Sequence, residues 1–233
     1  MSTFPVVLNN LEQQRVIVVG GGAVAEEKVQ SLLEGGAGSL AIISPELTPV
    51  LRRMAAAGRV EWIAREYRPG DLRGAFLCIA ATDDSAINHA VAAEAKRERV
   101  LINVVDDPAY CDFYATSVVR RGGFTISIGT DGQMPALAAH LRRRLARGFG
   151  PEYGVLIHLA RQLRPTMSRR FPDPAQRRRA WQALAESNLI PLIRRGASDE
   201  QLWEHIERTL ARFAAQEPGR LPTIPSPVRE AAP

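Results

Sequence analysis

The chain has 233 residues, of which 45% are hydrophobic, with 30 Lys+Arg against 25 Asp+Glu; this excludes a wholly disordered polypeptide and leaves room for one large domain or two modest ones. Two cysteines, Cys78 and Cys111, are too few for a disulfide framework or a Cys-rich zinc site, and they fit a reducing cytosol. No apolar stretch of about eighteen residues occurs, and Met1 to Asn10 lacks a basic start followed by an apolar run, so a cytoplasmic protein without membrane association is expected.

In chain order, Arg15–Val19 is a short β-branched run that meets Gly20-Gly21-Gly22 and is followed by a helical pattern from Ala23 to about Glu34, with Val24, Lys28 and Leu32 at helical spacing. The alternation repeats. A strand is expected over Ser39–Ser44, a helix over Pro45–Ala57 opened by its proline, and strands over Val60–Ala64 and Ala75–Ala81. A helix over Asp84–Arg99 and a strand over Val100–Val105 complete the series. Fully apolar strands alternating with helices predict an α/β fold, a Rossmann-type doubly wound parallel sheet, ending near residue 112.

After Asp112 the rhythm changes. Phe113–Val119 and Gly123–Gly129 read as a hairpin joined at Arg120-Arg121-Gly122, within a dimerisation and substrate region over 113–150. From Met134 the pattern is helical, over roughly 134–147, 151–164, 173–187 and 198–214, punctuated by Pro151, Pro165, Pro172, Pro191 and Gly196. This predicts a smaller all-helical C-terminal domain over 151–215, followed by a proline-rich disordered tail over 216–233.

Charge is unevenly distributed. Residues 1–138 sum to −3 and 197–233 to −2, whereas 139–196 carry 13 arginines against three acids, or +10. A polyanionic ligand suits that segment. Nucleic acid is not the expected partner, because zinc-finger, RNP-type and GXXG-loop signatures are missing and no aromatics interleave with the arginines.

Gly20-x-Gly22-x-x-Ala25, between strand and helix, has the setting of a dinucleotide fingerprint. Gly20 permits the sharp turn, Gly22 lets the backbone approach a pyrophosphate, and Ala25 keeps the helix near the strand. The helix N-terminus then offers free N–H groups to the anion. The acid that usually binds ribose after the second strand is absent; Ser44-Pro45-Glu46 stand there instead. No arginine directly follows the strand to hold a 2′-phosphate, although Arg52 and Arg53 lie on the next helix, so these residues favour NAD as the cofactor and leave NADP open.

Four blocks extend the match beyond a fold: VVGGGAVAEEK (18–28), AATDD with Asn88 (80–88), INVVDDPAYCDF (102–113) and SIGTDGQMPALAAHLRRRL (127–145). In order and spacing they resemble the precorrin-2 dehydrogenase/sirohydrochlorin ferrochelatase family, which includes the N-terminal part of siroheme synthase. The resemblance covers roughly residues 5–150 and implies NAD-dependent oxidation of precorrin-2 to sirohydrochlorin, with insertion of Fe2+ to give siroheme in some relatives. It also implies a homodimer, which would cover the edge strands of the hairpin. The substrate is a macrocycle fringed with carboxylates, for which arginine's planar fork is well suited.

The resemblance puts Asp106 at the family's catalytic aspartate, and its position after the fifth strand puts it at the carboxyl edge where doubly wound sheets bind ligands. A carboxylate there can accept the proton released on oxidation. Cofactor-binding candidates are Gly20, Gly22, Ala23, Val24, Ser44, Pro45, Thr82, Asn103 and Val105. Substrate-binding candidates are Thr130, which matches a hydroxyl-bearing family position, and Arg142 and Arg143 in the basic segment. Asp84 reads as an N-cap, and the amide of Asn103, inside an apolar strand, is expected to fix the Asp106 loop. Met134 replaces a common serine. The metal ligands are not identified: His89, His140, His158 and His205 are scattered, with no two at i, i+4, and are read as structural or surface residues. A competing reading is a non-catalytic NAD-sensing module whose basic helices contact a protein or nucleic acid; it explains the glycine turn but not the NVVDDP block.

Overall fold

The computed structural model describes residues 3–216, so the expected proline-rich tail from residue 217 onward lies outside it. Two compact units are present: residues up to Thr116 together with Gly129–Pro135, and Ser117–Ile128 together with residues from Ala136 onward.

The first unit is built on strands β1 (Arg15–Val19), β2 (Ser39–Ile43), β3 (Glu61–Ile63), β4 (Leu77–Ala80) and β5 (Leu101–Val104). All pair in parallel, in the order β3-β2-β1-β4-β5. Helices α1 (Ala23–Glu34), α2 (Pro49–Ala56) and α3 (Ser85–Glu98) supply the crossovers. Because successive strand residues face opposite sides, the apolar runs feed two cores. Val16, Val18, Leu40, Ile42, Leu77 and Ile79 pack with Ala25, Val29 and Leu51 on one face. Ile17, Val19, Ile43, Cys78, Ala80, Ile102 and Val104 pack with Val91, Ala92 and Ala95 on the other. Burial in the sheet pushes the Cys78 thiol pKa up, which keeps it protonated.

Two local expectations are corrected here. Helix α2 begins at Pro49 and not Pro45, because the Thr48 hydroxyl caps it by accepting from the Leu51 N–H at 3.2 Å, leaving Pro45 in the loop after β2. The buried face of α1 is Ala25 and Val29, one position off the expected set, and Val24 is 44% exposed.

No helix joins β3 to β4. Residues 64–76 are held by carboxylates instead. Asp71 accepts a bidentate pair from Arg65 at 2.7 and 2.8 Å, which holds its pKa below the usual carboxylate range. Glu94, only 1% exposed on α3, accepts from the Leu72 and Gly70 N–H groups at 2.9 and 3.0 Å and from the Tyr67 hydroxyl. A buried carboxylate survives there because each of these donors answers its charge.

The second unit contains the antiparallel hairpin β6 (Ser117–Arg121) and β7 (Phe124–Ile128), with Gly122-Gly123 as the turn, so Arg120 and Arg121 are strand residues and not the expected connector. Phe124 stacks with Phe149 and Tyr153. Helices α4 (Pro135–Gly148), α5 (Glu152–Arg170), α6 (Pro174–Ala185), α7 (Leu189–Arg194) and α8 (Asp199–Gln216) follow. Pro165 lies inside α5 and does not end it as expected; Leu159, Leu163 and Met167 bury one stripe through that point, anchoring the helix across the proline. The short helix α7 was not expected.

Candidate functional site at the carboxyl edge of the parallel sheet

Parallel pairing brings the ends of β1, β2, β4 and β5 to one edge, with the strand order reversing between β1 and β4. The turn after β1 is shaped by close backbone contact. Gly20 has φ +121°, and a Cβ there would meet the Ala81 carbonyl oxygen at 2.4 Å. A Cβ on Gly21 would meet the Glu46 carbonyl oxygen at 2.0 Å, so Gly21, which the GxGxxA motif leaves open, is fixed by packing. Gly22 differs: a Cβ there would meet nothing within 4 Å. It is the N-cap of α1 with no side-chain cap. The N–H groups of Ala23 and Val24, in the first turn, have no partner among the described residues. An open backbone face, free donors and the exposed Val24 beside them fit a dinucleotide diphosphate.

At the end of β2, Ser44 is buried and donates its hydroxyl proton to the Glu46 carbonyl at 2.7 Å, while its own carbonyl accepts from Trp62 Nε1 at 2.9 Å. Pro45 beside it is exposed. After β4, Thr82 is gripped by Asn88 of α3. The Asn88 Oδ1 accepts from the Thr82 hydroxyl at 2.8 Å and from its N–H at 3.3 Å, and Asn88 Nδ2 donates to the Thr82 carbonyl at 3.0 Å. Asp84 caps α3, accepting from the Ala86 and Ile87 N–H groups.

The segment after β5 folds back on its own strand. The Val105 N–H donates to the Ala80 carbonyl at 2.9 Å, and Asp106 then turns through φ +60°, an uncommon conformation outside glycine that Asp tolerates better than most residues. Its exposed carboxylate has no hydrogen bond or ion pair among the described residues. Asn103 Nδ2 donates to the Phe113 carbonyl at 2.9 Å and to Cys111 Sγ at 3.4 Å, so the buried amide holds the returning segment. Cys111 Sγ also accepts from the Val104 N–H at 3.2 Å; burial pushes its thiol pKa up, against the pull of those donors.

Sequence reasoning missed two contacts. His89 is not an isolated surface histidine: its Nε2 lies 2.8 Å from Asp107 Oδ2, and Tyr110 stacks on its ring at 4.2 Å. Asn88 was read only as part of a block, although a buried amide on the apolar face of α3 is itself a signal of a polar partner.

Thr130 is in the first unit, where its hydroxyl accepts from the Met134 N–H at 3.3 Å; Asp131 of the same turn bonds to Thr3. Arg142 and Arg143 belong to α4 in the second unit, where both are exposed with no partner among the described residues. Other arginines of the basic segment are engaged there: Arg194 with Glu152 at 2.6 Å and Arg170 with Glu207 at 3.0 Å. Among the described residues no group of three or more His, Cys, Asp or Glu could hold a metal ion, and no helix is long and apolar enough to cross a membrane.

Comparison with known proteins gives two family matches. Residues 7–117 match a model described as "Putative NAD(P)-binding", and residues 152–205 match the sirohaem synthase dimerisation region. Siroheme synthase of Chromobacterium violaceum is 37% identical over 196 residues, covering 84% of this chain and 41% of that one. Siroheme synthase of Methylobacillus flagellatus is 39% identical over 182 residues, covering 78% and 38%. The chain thus spans about two fifths of the length of these relatives. Among solved structures, a chain named SirC, precorrin-2 dehydrogenase, superposes with a TM-score of 0.71 at 20% identity, over 88% of this chain and 98% of that one, and it shares the fold.

Proposed function

We propose that this chain, which is similar to siroheme synthases and carries a match to their dimerisation region, oxidises precorrin-2 to sirohydrochlorin with NAD as the acceptor. The observation that supports this best is the pairing, on one sheet edge, of an open glycine turn at Gly22 with an Asp106 carboxylate that has no partner among the described residues. Bound NAD supplies the hydride acceptor. The chain's own residues do the rest. The N–H groups of Ala23 and Val24 bind the diphosphate, with Gly20 and Gly22 shaping the turn. Pro45 and Val105 border the cofactor, while Ser44, Thr82 and Asn103 hold the strand ends that carry it.

Oxidation removes a hydride and a proton from the reduced macrocycle, and the Asp106 carboxylate accepts the proton. We assign substrate carboxylates to Arg142 and Arg143 on their chemistry, supported by their exposure and by their having no partner among the described residues, and a substrate contact to Thr130. The match of residues 152–205 to a dimerisation region supports a homodimer, which light scattering at micromolar concentration tests: a dimer mass is expected, and a monomer contradicts it.

The test of function is purified protein mixed with precorrin-2 and NAD. NADH and the sirohydrochlorin spectrum are expected, and no NADH above a protein-free control defeats the proposal. Addition of ferrous ion afterwards separates oxidation from metal insertion, with Fe2+ as substrate.

A further inference from the structure

Asp106 is held in a left-handed backbone by restraints on both sides. Before it, Val105 is tied to Ala80 at the sheet edge. After it, the Asp107 N–H donates to the Val104 carbonyl at 3.3 Å, and the Asp107 carbonyl accepts from the Tyr110 N–H at 3.2 Å and from Cys111 Sγ at 3.4 Å. Apart from the bond to Ala80 at the end of β4, these bonds are local to the loop and its own strand. Besides the Asn103 amide of β5, which holds Cys111 and Phe113, one side-chain bond among the described residues ties the loop to a helix: Asp107 Oδ2 to Nε2 of His89, on the second turn of α3. An ionised carboxylate only accepts, so Nε2 carries the proton and donates, which both the neutral Nε2–H tautomer and the imidazolium can do. Tyr110, two residues beyond Pro108, lies nearly parallel to the imidazole, at 20° between planes, and closes the loop over the histidine.

A non-glycine residue in this conformation is strained and persists only where its surroundings over-determine it. The restraint from α3 acts on the residue adjacent to the proposed base. We infer that His89 is the positioning residue for Asp106: by donating to Asp107 it fixes the left-handed turn that presents the Asp106 carboxylate. This rests on the dehydrogenase reading for its catalytic part. His89 touches neither Asp106 nor the reacting atoms in this role; it acts through Asp107. Both partners are partly exposed, with side-chain exposures of 42% and 35%, so replacing His89 leaves the buried cores intact.

Three variants separate the donor from the ring. His89→Ala removes both, His89→Phe keeps an aromatic ring for Tyr110 but has no N–H, and His89→Gln keeps an N–H donor without the ring. We expect kcat to fall about tenfold to a hundredfold in His89→Ala and His89→Phe, the range for a misplaced catalytic group, with KM for NAD unchanged. His89→Gln should recover most of kcat. Unchanged kcat in His89→Ala, or His89→Phe matching the wild type, overturns the inference.

Amide hydrogen exchange gives a readout independent of turnover. The Asp107 amide should exchange faster in the Ala and Phe variants than in the wild type and the Gln variant, while Val18 and Ile79 in the sheet stay protected. Unchanged Asp107 exchange also overturns the inference. If the wild type forms no NADH from precorrin-2, the dehydrogenase reading falls, and the exchange comparison alone decides whether His89 holds the loop.

Discussion

Gly20 and Ala81 approach so closely across the β1–β4 junction that a Cβ on Gly20 would lie 2.4 Å from the Ala81 carbonyl oxygen, at a φ of +121°. Gly22, two residues on, has open space where its Cβ would be. Packing therefore demands a glycine at the first position and not at the second, where the proposed function assigns the open space to the cofactor. Gly20→Ala should lower unfolding free energy by about 3 kcal/mol through strain and clash. Gly22→Ala should leave the melting temperature nearly unchanged and weaken NAD binding at least about tenfold, because the new methyl fills the space a diphosphate needs. Thermal melts and NAD titration of both variants check this; equal NAD affinity in Gly22→Ala and wild type goes against the cofactor placement.

Asn88 closes the Thr82 turn with bonds to its N–H, carbonyl and hydroxyl. Asn88→Leu keeps the bulk but strands those groups, so a loss of about 2–3 kcal/mol is expected in denaturant unfolding. On the proposed cofactor placement, NAD affinity should fall as well. A variant as stable as wild type would show that the clasp carries no weight.

The acid limb of stability should report Asp71 and Glu94. Arg65 draws the Asp71 pKa down. For Glu94, burial pushes the pKa up, but the Tyr67 hydroxyl and the Leu72 and Gly70 N–H groups outweigh it and leave it lowered. A folded pKa below the unfolded one stabilises fully above the ordinary carboxylate value of about 4, and that stabilisation is lost as pH falls through the depressed folded values. Glu94→Gln should therefore be less stable than wild type at neutral pH, with the gap narrowing as the pH falls below the ordinary carboxylate range. Denaturant melts across that range test the sign, and a gap that widens in acid contradicts it.

How much of this was legible depended on the range of the forces involved. The parallel sheet was readable because strands buried on both faces must be apolar throughout, as in Val16–Val19 and Leu77–Ala80. The start of α2 was not, because Pro45 and Pro49 are equally good first-turn prolines, and only the Thr48 cap chooses between them. The glycine turn and Asp106 were visible as local patterns. The His89–Asp107 pair was not, since its partners are 18 residues apart and meet only once α3 and β5 pack side by side.

The central claim is that Asp106 is the base beside a cofactor seated on the glycine turn. Asp106→Asn tests it most directly, because asparagine also tolerates a left-handed backbone and changes only the charge and basicity. Steady-state NADH formation from precorrin-2, measured alongside NAD affinity, should show turnover at least about a hundredfold below wild type with NAD binding unchanged. Turnover equal to that of the wild type would contradict the account.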